Sequence, residues 1–278
     1  MNSREVLKAA ADRLRSAGVP DPEYDSGMLL SRVTGEPWLA LRMGLEGIPG
    51  PLDSEEFQRL LARRESREPL QYILGTAFFR GAEFETAPGV LIPRPETELL
   101  AEWAGEWLKQ RSAPEVLDLC CGSGCIGLSL ARELPSAGVT LTDLSPDALR
   151  IAARNRSRLG VEAEILQGDL FAPVRGRRFD CVISNPPYIP AGECGCLQPE
   201  VMKEPRLALD GGADGLDFYR RIGREGPAFL KPGGRIFLET GEGEAQAAAS
   251  LLEAGGALET TIRKDEAGID RMVSGRYA

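Results

Sequence analysis

The sequence predicts an α/β fold in which a small N-terminal all-α domain and a connecting β-hairpin precede a larger domain of alternating strands and helices. Three observations carry this. From Ser3 to about Arg67 apolar residues recur at helical spacing, as Val6, Leu7, Ala10, Ala11 and Leu14 do, without alternation of period two. Residues 70–95, LQYILGTAFFRGAEFETAPGVLIPRP, switch to aromatic and β-branched residues punctuated by Gly and Pro, the pattern of a short hairpin. Beyond them, short apolar runs and amphipathic stretches alternate to the end of the chain, which is α/β order.

Within the helical domain, Asp21 before Pro22 marks an N-cap with proline at the first helical position, and Asp53 with Glu56 has the spacing of a capping box. Arg63, Arg64 and Arg67 form a local basic cluster that reads as a solvated helix face. The expected divisions are residues 1–69 for the helical domain, 70–92 for the linking hairpin and 93–278 for the α/β domain. A helix over 96–109 carries Leu99, Leu100, Trp103 and Trp107 on one side. Strands are expected over 115–119, 138–142, 162–167, 179–184, 234–239, 258–263 and 271–274. Ser145 before Pro146 opens one intervening helix, and 214–223 opens the helix before GGRIFLET.

Composition narrows the chemistry. No histidine is present among the 278 residues, which excludes an imidazole base, a His-ligated metal and a Ser-His-Asp triad. A net charge of −9 argues against a duplex nucleic-acid footprint, which needs clustered Lys and Arg. No run approaches the roughly 20 apolar residues of a membrane span, and the opening MNSREVLKAAADRLRSAG has no signal-peptide core, so the chain reads as cytoplasmic and free of membrane contact. Six cysteines are present, with Cys120, Cys121 and Cys125 in one turn and Cys194 and Cys196 in another. This crowding fits reduced thiols better than a disulfide framework, and two cysteines in a loop are too few for a structural zinc site, so no metal is expected.

VLDLCCGSGCIGLSLA is an apolar strand, a glycine-rich turn and a helix start, with Gly122, Gly124 and Gly127 in G-x-G-x-x-G spacing. Asp143 ends the next strand, where a carboxylate can accept from both ribose hydroxyls of an adenosine. Asp169 ends the third, where it can accept from an adenine amino group while Leu170 and Phe171 cover the ring. NAD and S-adenosylmethionine both contain adenosine, so this half leaves hydride and methyl transfer open. The hydride reading has no candidate donor site such as a His or a Tyr-x-x-x-Lys pair.

The fourth strand runs into Asn185, Pro186, Pro187 and Tyr188. Two prolines remove two backbone donors and fix two φ angles, which makes the turn stiff and pushes Asn185 towards an extended conformation. Here the chain resembles the class I, Rossmann-like methyltransferases that act on planar nitrogen, whose (Asn/Asp)-Pro-Pro-(Tyr/Phe) motif matches Asn185 to Tyr188. A planar NH2 offers two donors, and the Asn185 side-chain oxygen with the Pro186 carbonyl can accept both. Tyr188 would stack on the flat group. Adenine and a glutamine side chain both present such an NH2.

PRPETE at Pro93 to Glu98, NPPYIP at Asn185 to Pro190, and EPRLALDGGADGLDFYRRI at Glu204 to Ile222 are similar to one narrower group, the release-factor glutamine methyltransferases of the HemK/PrmC family. The resemblance covers nearly the whole chain. It implies a Rossmann-like class I sheet, mostly parallel with its last strand antiparallel, and methyl transfer from S-adenosyl-L-methionine to the N5 amide of the glutamine in the Gly-Gly-Gln motif of class 1 peptide chain release factors. It also implies that Cys120, Cys121, Gly122, Ser123, Gly124, Asp143, Leu170 and Asn185 line the cofactor, to which the reading of the residues alone adds Asp169, with Asn185, Pro186, Pro187 and Tyr188 holding the glutamine. The helical domain becomes the docking surface for the factor, and no direct nucleic-acid contact is implied. A related family methylates a ribosomal-protein glutamine with the same tetrapeptide. The family usually has glycine where Cys120 stands, so a tighter loop is expected. Arg94 and Glu98 either order the site entrance or cap the following helix.

Overall fold

Each helix of the N-terminal unit turns one apolar stripe towards a shared core. The computed structural model describes residues 3–43 and 54–278, and by its contacts the chain divides into Met1–Gly75 with Gln198–Lys203, and Thr76–Leu197 with Glu204–Ala278. In the first unit α1 (Ser3–Ser16), α2 (Pro22–Thr34), α3 (Trp38–Met43), α4 (Glu55–Glu65) and α5 (Leu70–Leu74) bury Leu14, Leu29, Leu30, Leu41, Phe57 and Leu61 together. Burying each such side chain stabilises the unit by roughly 1.5–3 kcal/mol before entropy is counted. At Gly27 a Cβ would lie 1.8 Å from the Trp38 indole, so glycine is what lets α2 and α3 approach.

Asp21 stands at the N-cap of α2, but its side chain makes no capping bond and Pro22 supplies the start. Asp53 lies outside the described residues; α4 opens on Ser54, whose side chain accepts from Phe57 N at 3.2 Å. The basic cluster is not a solvated face. Arg64 is 4% exposed and sits between Asp25 (2.6 Å) and Glu200 (2.8 Å), while Arg67 grips Glu200 through two bonds of 2.6 and 2.7 Å. Burial pushes the Glu200 carboxyl up, but the hydrogen bonds from Arg67 and Arg64 outweigh it and hold the group at about 2. The acidic partner that draws these arginines in lies over 130 residues away in the chain, which local charge cannot reveal.

The hairpin is shorter than expected. Residues 70–74 form a helical turn ended by Gly75 at φ 81°, and only β1 (Thr76–Phe79) and β2 (Ala82–Glu85) pair, antiparallel. Arg80 and Gly81 between them both have positive φ, the turn that matches strand twist. Then follow α6 (Pro95–Leu108), β3 (Glu115–Leu119), α7 (Cys125–Glu133), β4 (Gly138–Asp143), α8 (Pro146–Leu159), β5 (Glu164–Gln167), β6 (Phe179–Ser184), α9 (Asp217–Glu225), β7 (Leu230–Glu239), α10 (Ala245–Ala254), β8 (Glu259–Lys264) and β9 (Asp270–Arg276).

These seven strands form one sheet in the order β5-β4-β3-β6-β7-β9-β8. Its first five strands are mutually parallel, and β9 runs antiparallel to both neighbours. Strand order reverses beside β3, with β4 on one side and β6 on the other, so the carboxyl ends of β3, β4 and β6 open at the switch point where such sheets bind ligands. One face packs Trp103 edge-on against Phe237 at 5.2 Å; the other buries Phe171, Tyr219 and Leu252. Ser145 caps α8 as expected, its side chain accepting from Ala148 N at 3.2 Å. The helix expected from 214 begins at Asp217, because Asp214 is spent on a turn that accepts Leu216 N.

Candidate functional site

At the end of β3 the chain leaves the sheet through two residues in the left-handed region, Cys120 at φ 56° and Gly122 at φ 55°. Cys121 N donates to Thr142 O at 3.1 Å, and Gly124, at φ 78°, precedes α7. At Gly127 a Cβ would come within 2.9 Å of Asp118 Oδ2, the oxygen that accepts the Gly127 N–H at 2.8 Å; the third glycine brings helix against strand. The wholly buried Asp118 is pushed up to about 7 by desolvation, against the pull of that Gly127 bond.

Asp143 ends β4 facing this turn. Its Oδ2 accepts from Gly122 N at 2.9 Å and its Oδ1 from Ser145 N at 2.8 Å. Burial raises its pKa against those bonds. Each carboxylate oxygen keeps acceptor capacity beyond its backbone bond. Behind the turn, Asn155 is fully buried and donates to Ser123 O at 2.9 Å and Glu85 O at 3.1 Å, pinning the loop to the hairpin. Past β5, Asp169 receives Arg221 Nη2 at 2.8 Å, and Leu170 adopts φ 46°.

At the end of β6, Ser184 Oγ donates to Leu119 O at 2.7 Å and ties the two turns together at their roots. Asn185 Nδ2 donates to Thr97 Oγ1 at 3.1 Å, and Thr97 Oγ1 donates to Glu239 Oε2 at 2.6 Å. The chain beyond Tyr188 is braced by EPRLALDGG: Ile189 N donates to Leu209 O and Gly211 N to Ile189 O, both at 2.8 Å. A Cβ on Gly211 would stand 2.6 Å from Tyr188 Cα, so glycine is required where this segment crosses the turn.

These turns border a cavity of about 290 Å³, at the lower end of small-molecule pockets. Of the residues singled out from sequence, Cys120, Cys121, Gly122, Ser123, Asp143, Asp169, Leu170, Asn185 and Pro187 line it. Gly124 instead heads α7, Pro186 is buried, and Tyr188 is half-buried against the core around Tyr219, where burial raises its hydroxyl pKa. Phe171, expected to cover a ring beside Leu170, turns into the core and stacks on Phe229 at 4.6 Å. Arg94 lines the cavity without capping α6; it pairs with Glu204, which also accepts Ile92 N at 2.9 Å. Glu98 contributes its backbone carbonyl to Arg80 at 3.2 Å.

Sequence reasoning missed Thr97, Glu239, Asn155 and Glu204. The last lies inside a motif already singled out and Thr97 inside another, so both were within view. Glu239 and Asn155 carry no local signal, since their partners stand 142 and 70 residues away.

Residues 5–75 match the PrmC N-terminal domain family and residues 96–204 the methyltransferase small domain family. A protein of Geobacter sulfurreducens named release factor glutamine methyltransferase is 42% identical over 98% of this chain and 96% of its own length. One of the same name from Cereibacter sphaeroides is 43% identical over 99% of each chain. A T. thermophilus 16S rRNA methyltransferase solved in complex with AdoMet and guanosine superposes with a TM-score of 0.55 at 24% identity, covering 73% of this chain and 50% of that one, which is a likeness of fold.

Proposed function

Because the chain belongs to the family of release factor glutamine methyltransferases, we propose that it transfers a methyl group from S-adenosyl-L-methionine to the side-chain amide nitrogen of the glutamine in the Gly-Gly-Gln motif of class 1 peptide chain release factors. The observation that carries this reading is the Asn185 amide at the cavity wall, with its nitrogen committed to Thr97 and its oxygen left to accept.

The cavity fits the cofactor. Asp143 offers two acceptor oxygens for adjacent ribose hydroxyls, and Leu170, Leu144, Ala148 and Val90 supply an apolar wall for a flat base. Cys120 to Ser123 bring backbone close to the ligand. When bound, S-adenosylmethionine supplies a methyl already activated on a sulfonium, so the protein needs no strong base to make the methyl transferable. Its residues supply position. Asn185 Oδ1 and the Pro186 carbonyl accept the two N–H bonds of the glutamine amide, which fixes the direction of the nitrogen and keeps electron density on it. The stiffness of Pro186 and Pro187 holds both acceptors at a constant separation. Tyr188 packs against the core behind the turn, and the helical unit docks the factor.

The test is a substrate panel with methyl-labelled cofactor: a class 1 release factor, the same factor with the motif glutamine changed to glutamate, a ribosomal protein bearing a candidate glutamine, and adenine-containing DNA. Label on the first alone is the expected result, because glutamate has no NH2 to present. Label on DNA or on the ribosomal protein in place of the factor overturns the reading.

A further inference from the structure

Asn185 is only useful as an acceptor if its amide cannot turn over. The side chain has near-identical oxygen and nitrogen ends, and a half-turn about its last bond would point two N–H donors at an incoming NH2. Something must distinguish the ends, and the prolines, which constrain the backbone, do not do so.

The chain Asn185 Nδ2 to Thr97 Oγ1 to Glu239 Oε2 does. An ionised carboxylate only accepts, so Thr97 must give its single hydroxyl proton to Glu239. The 2.6 Å separation is that of a charge-assisted bond. With its proton spent, Thr97 Oγ1 presents only lone pairs to Asn185 and takes the nitrogen end. Both members are locked in the core: Thr97 is 2% exposed and Glu239 1%. Thr97 rides on the first turn of α6, started by Pro95, and Glu239 ends β7 with its backbone carbonyl holding the Tyr219 hydroxyl at 3.1 Å. We propose that Thr97 and Glu239 are positioning residues that fix the polarity of the Asn185 amide, so that its oxygen faces the substrate nitrogen. This rests on the reading of Asn185 as the acceptor for the glutamine NH2.

The arrangement has a built-in dependence on the charge of Glu239. Burial pushes that carboxyl up to about 7, while the Thr97 bond opposes the rise. The groups facing it are Arg94 and Glu96 at the start of α6, Cys125 at the head of α7, Tyr188 beyond β6, Tyr219 on α9 and Arg271 on β9. Once protonated, Glu239 can donate to Thr97, whose hydroxyl is then free to donate to Asn185, and the amide loses its preferred sense.

Four variants test the relay: Thr97→Val, Thr97→Ser, Glu239→Gln and Asn185→Ala, each measured for kcat, release-factor affinity, S-adenosylmethionine Kd and Tm, with the Asn185 side-chain amide, where present, followed by NMR in the cofactor-free protein. Thr97→Val is expected to lower kcat by roughly tenfold to a hundredfold, the scale of a small misplacement at a reacting centre, with cofactor Kd unchanged. Thr97→Ser, which keeps the hydroxyl, restores kcat. The Asn185 amide protons lose their hydrogen-bonded shift in Val and regain it in Ser. In the parent enzyme kcat falls as pH drops through the Glu239 titration, and Glu239→Gln removes that limb. If Thr97→Val keeps full kcat and the parental amide shift while Asn185→Ala is inactive, the relay is wrong and the acceptor reading stands. If Asn185→Ala itself keeps full kcat, both fall. A Thr97→Val variant that loses cofactor affinity and Tm in step with kcat, without rescue by Ser, shows a merely structural threonine and also overturns the proposal.

Discussion

The turn after β3 and the turn after β6 border the same cavity but are held by different means. The first is shaped by backbone: positive φ at Cys120 and Gly122, the Gly127 contact with Asp118, and one carboxylate, Asp143, tied to two nearby N–H groups. The second is shaped by side chains from distant elements: Thr97 on α6, Glu239 on β7, and a brace from residues 204–211. A backbone cradle accepts a ligand whose shape is constant. An oriented amide selects one kind of hydrogen-bonding partner. In the proposed reaction the first turn binds the donor and the second discriminates the acceptor, so damage to each should surface in a different measurement.

Asn185→Ala has the largest expected effect. Removing one positioned acceptor should lower kcat by roughly a hundredfold to a thousandfold, with the S-adenosylmethionine Kd, read by calorimetry, close to the parent value. Equal losses in kcat and cofactor affinity would erase the distinction between the turns. Asp143→Ala should act on the other side, since each lost hydrogen bond to a charged group is worth about 1.5–3 kcal/mol and tenfold in Kd is about 1.4 kcal/mol. Cofactor affinity should fall at least tenfold on that scale, and kcat at saturating cofactor should hold; an intact Kd places the ribose elsewhere.

Glu204→Ala removes the partner of Arg94 and the acceptor of Ile92 N, for a cost of about 2 kcal/mol and a Tm lower by several degrees. Cofactor Kd should change less than kcat, because the loss frees Arg94 at the cavity wall and leaves Asp143 in place. Cys120→Gly should do least. It relieves a left-handed residue worth roughly 1–2 kcal/mol but returns chain entropy of roughly 0.5–1 kcal/mol and removes sulfur packing against the core. Tm and kcat should stay near the parent; a large fall in either would show that the thiol has a role glycine cannot fill.

The same contrast explains what the sequence reveals. Most of the parallel strands were legible because apolar residues crowd them, as Val116, Leu117 and Leu119 do in β3 and Val182 and Ile183 in β6, and the glycine turn because its spacing is local. Cys120 marked a departure from the glycine that the resemblance leads one to expect, and its φ of 56° lies in the left-handed region that favours glycine. The long-range parts were not legible: Glu200 drawing in Arg64 and Arg67, Asn155 pinning Ser123, and Glu239 fixing Thr97 all join residues remote in the chain. Phe171 shows the opposite failure. Its place beside Leu170 pointed to the cavity, but the left-handed Leu170 reverses the chain and delivers the ring to the core.

The central claim is that the turn of Asn185, Pro186, Pro187 and Tyr188 presents acceptors to a protein amide. It is tested most directly by locating the transferred methyl. After incubation of the protein with a class 1 release factor and isotopically labelled S-adenosylmethionine, fragmentation mass spectrometry should place the label on the side-chain nitrogen of the Gly-Gly-Gln glutamine and nowhere else. Label on another residue, or a factor left unmodified by active enzyme, would contradict the account.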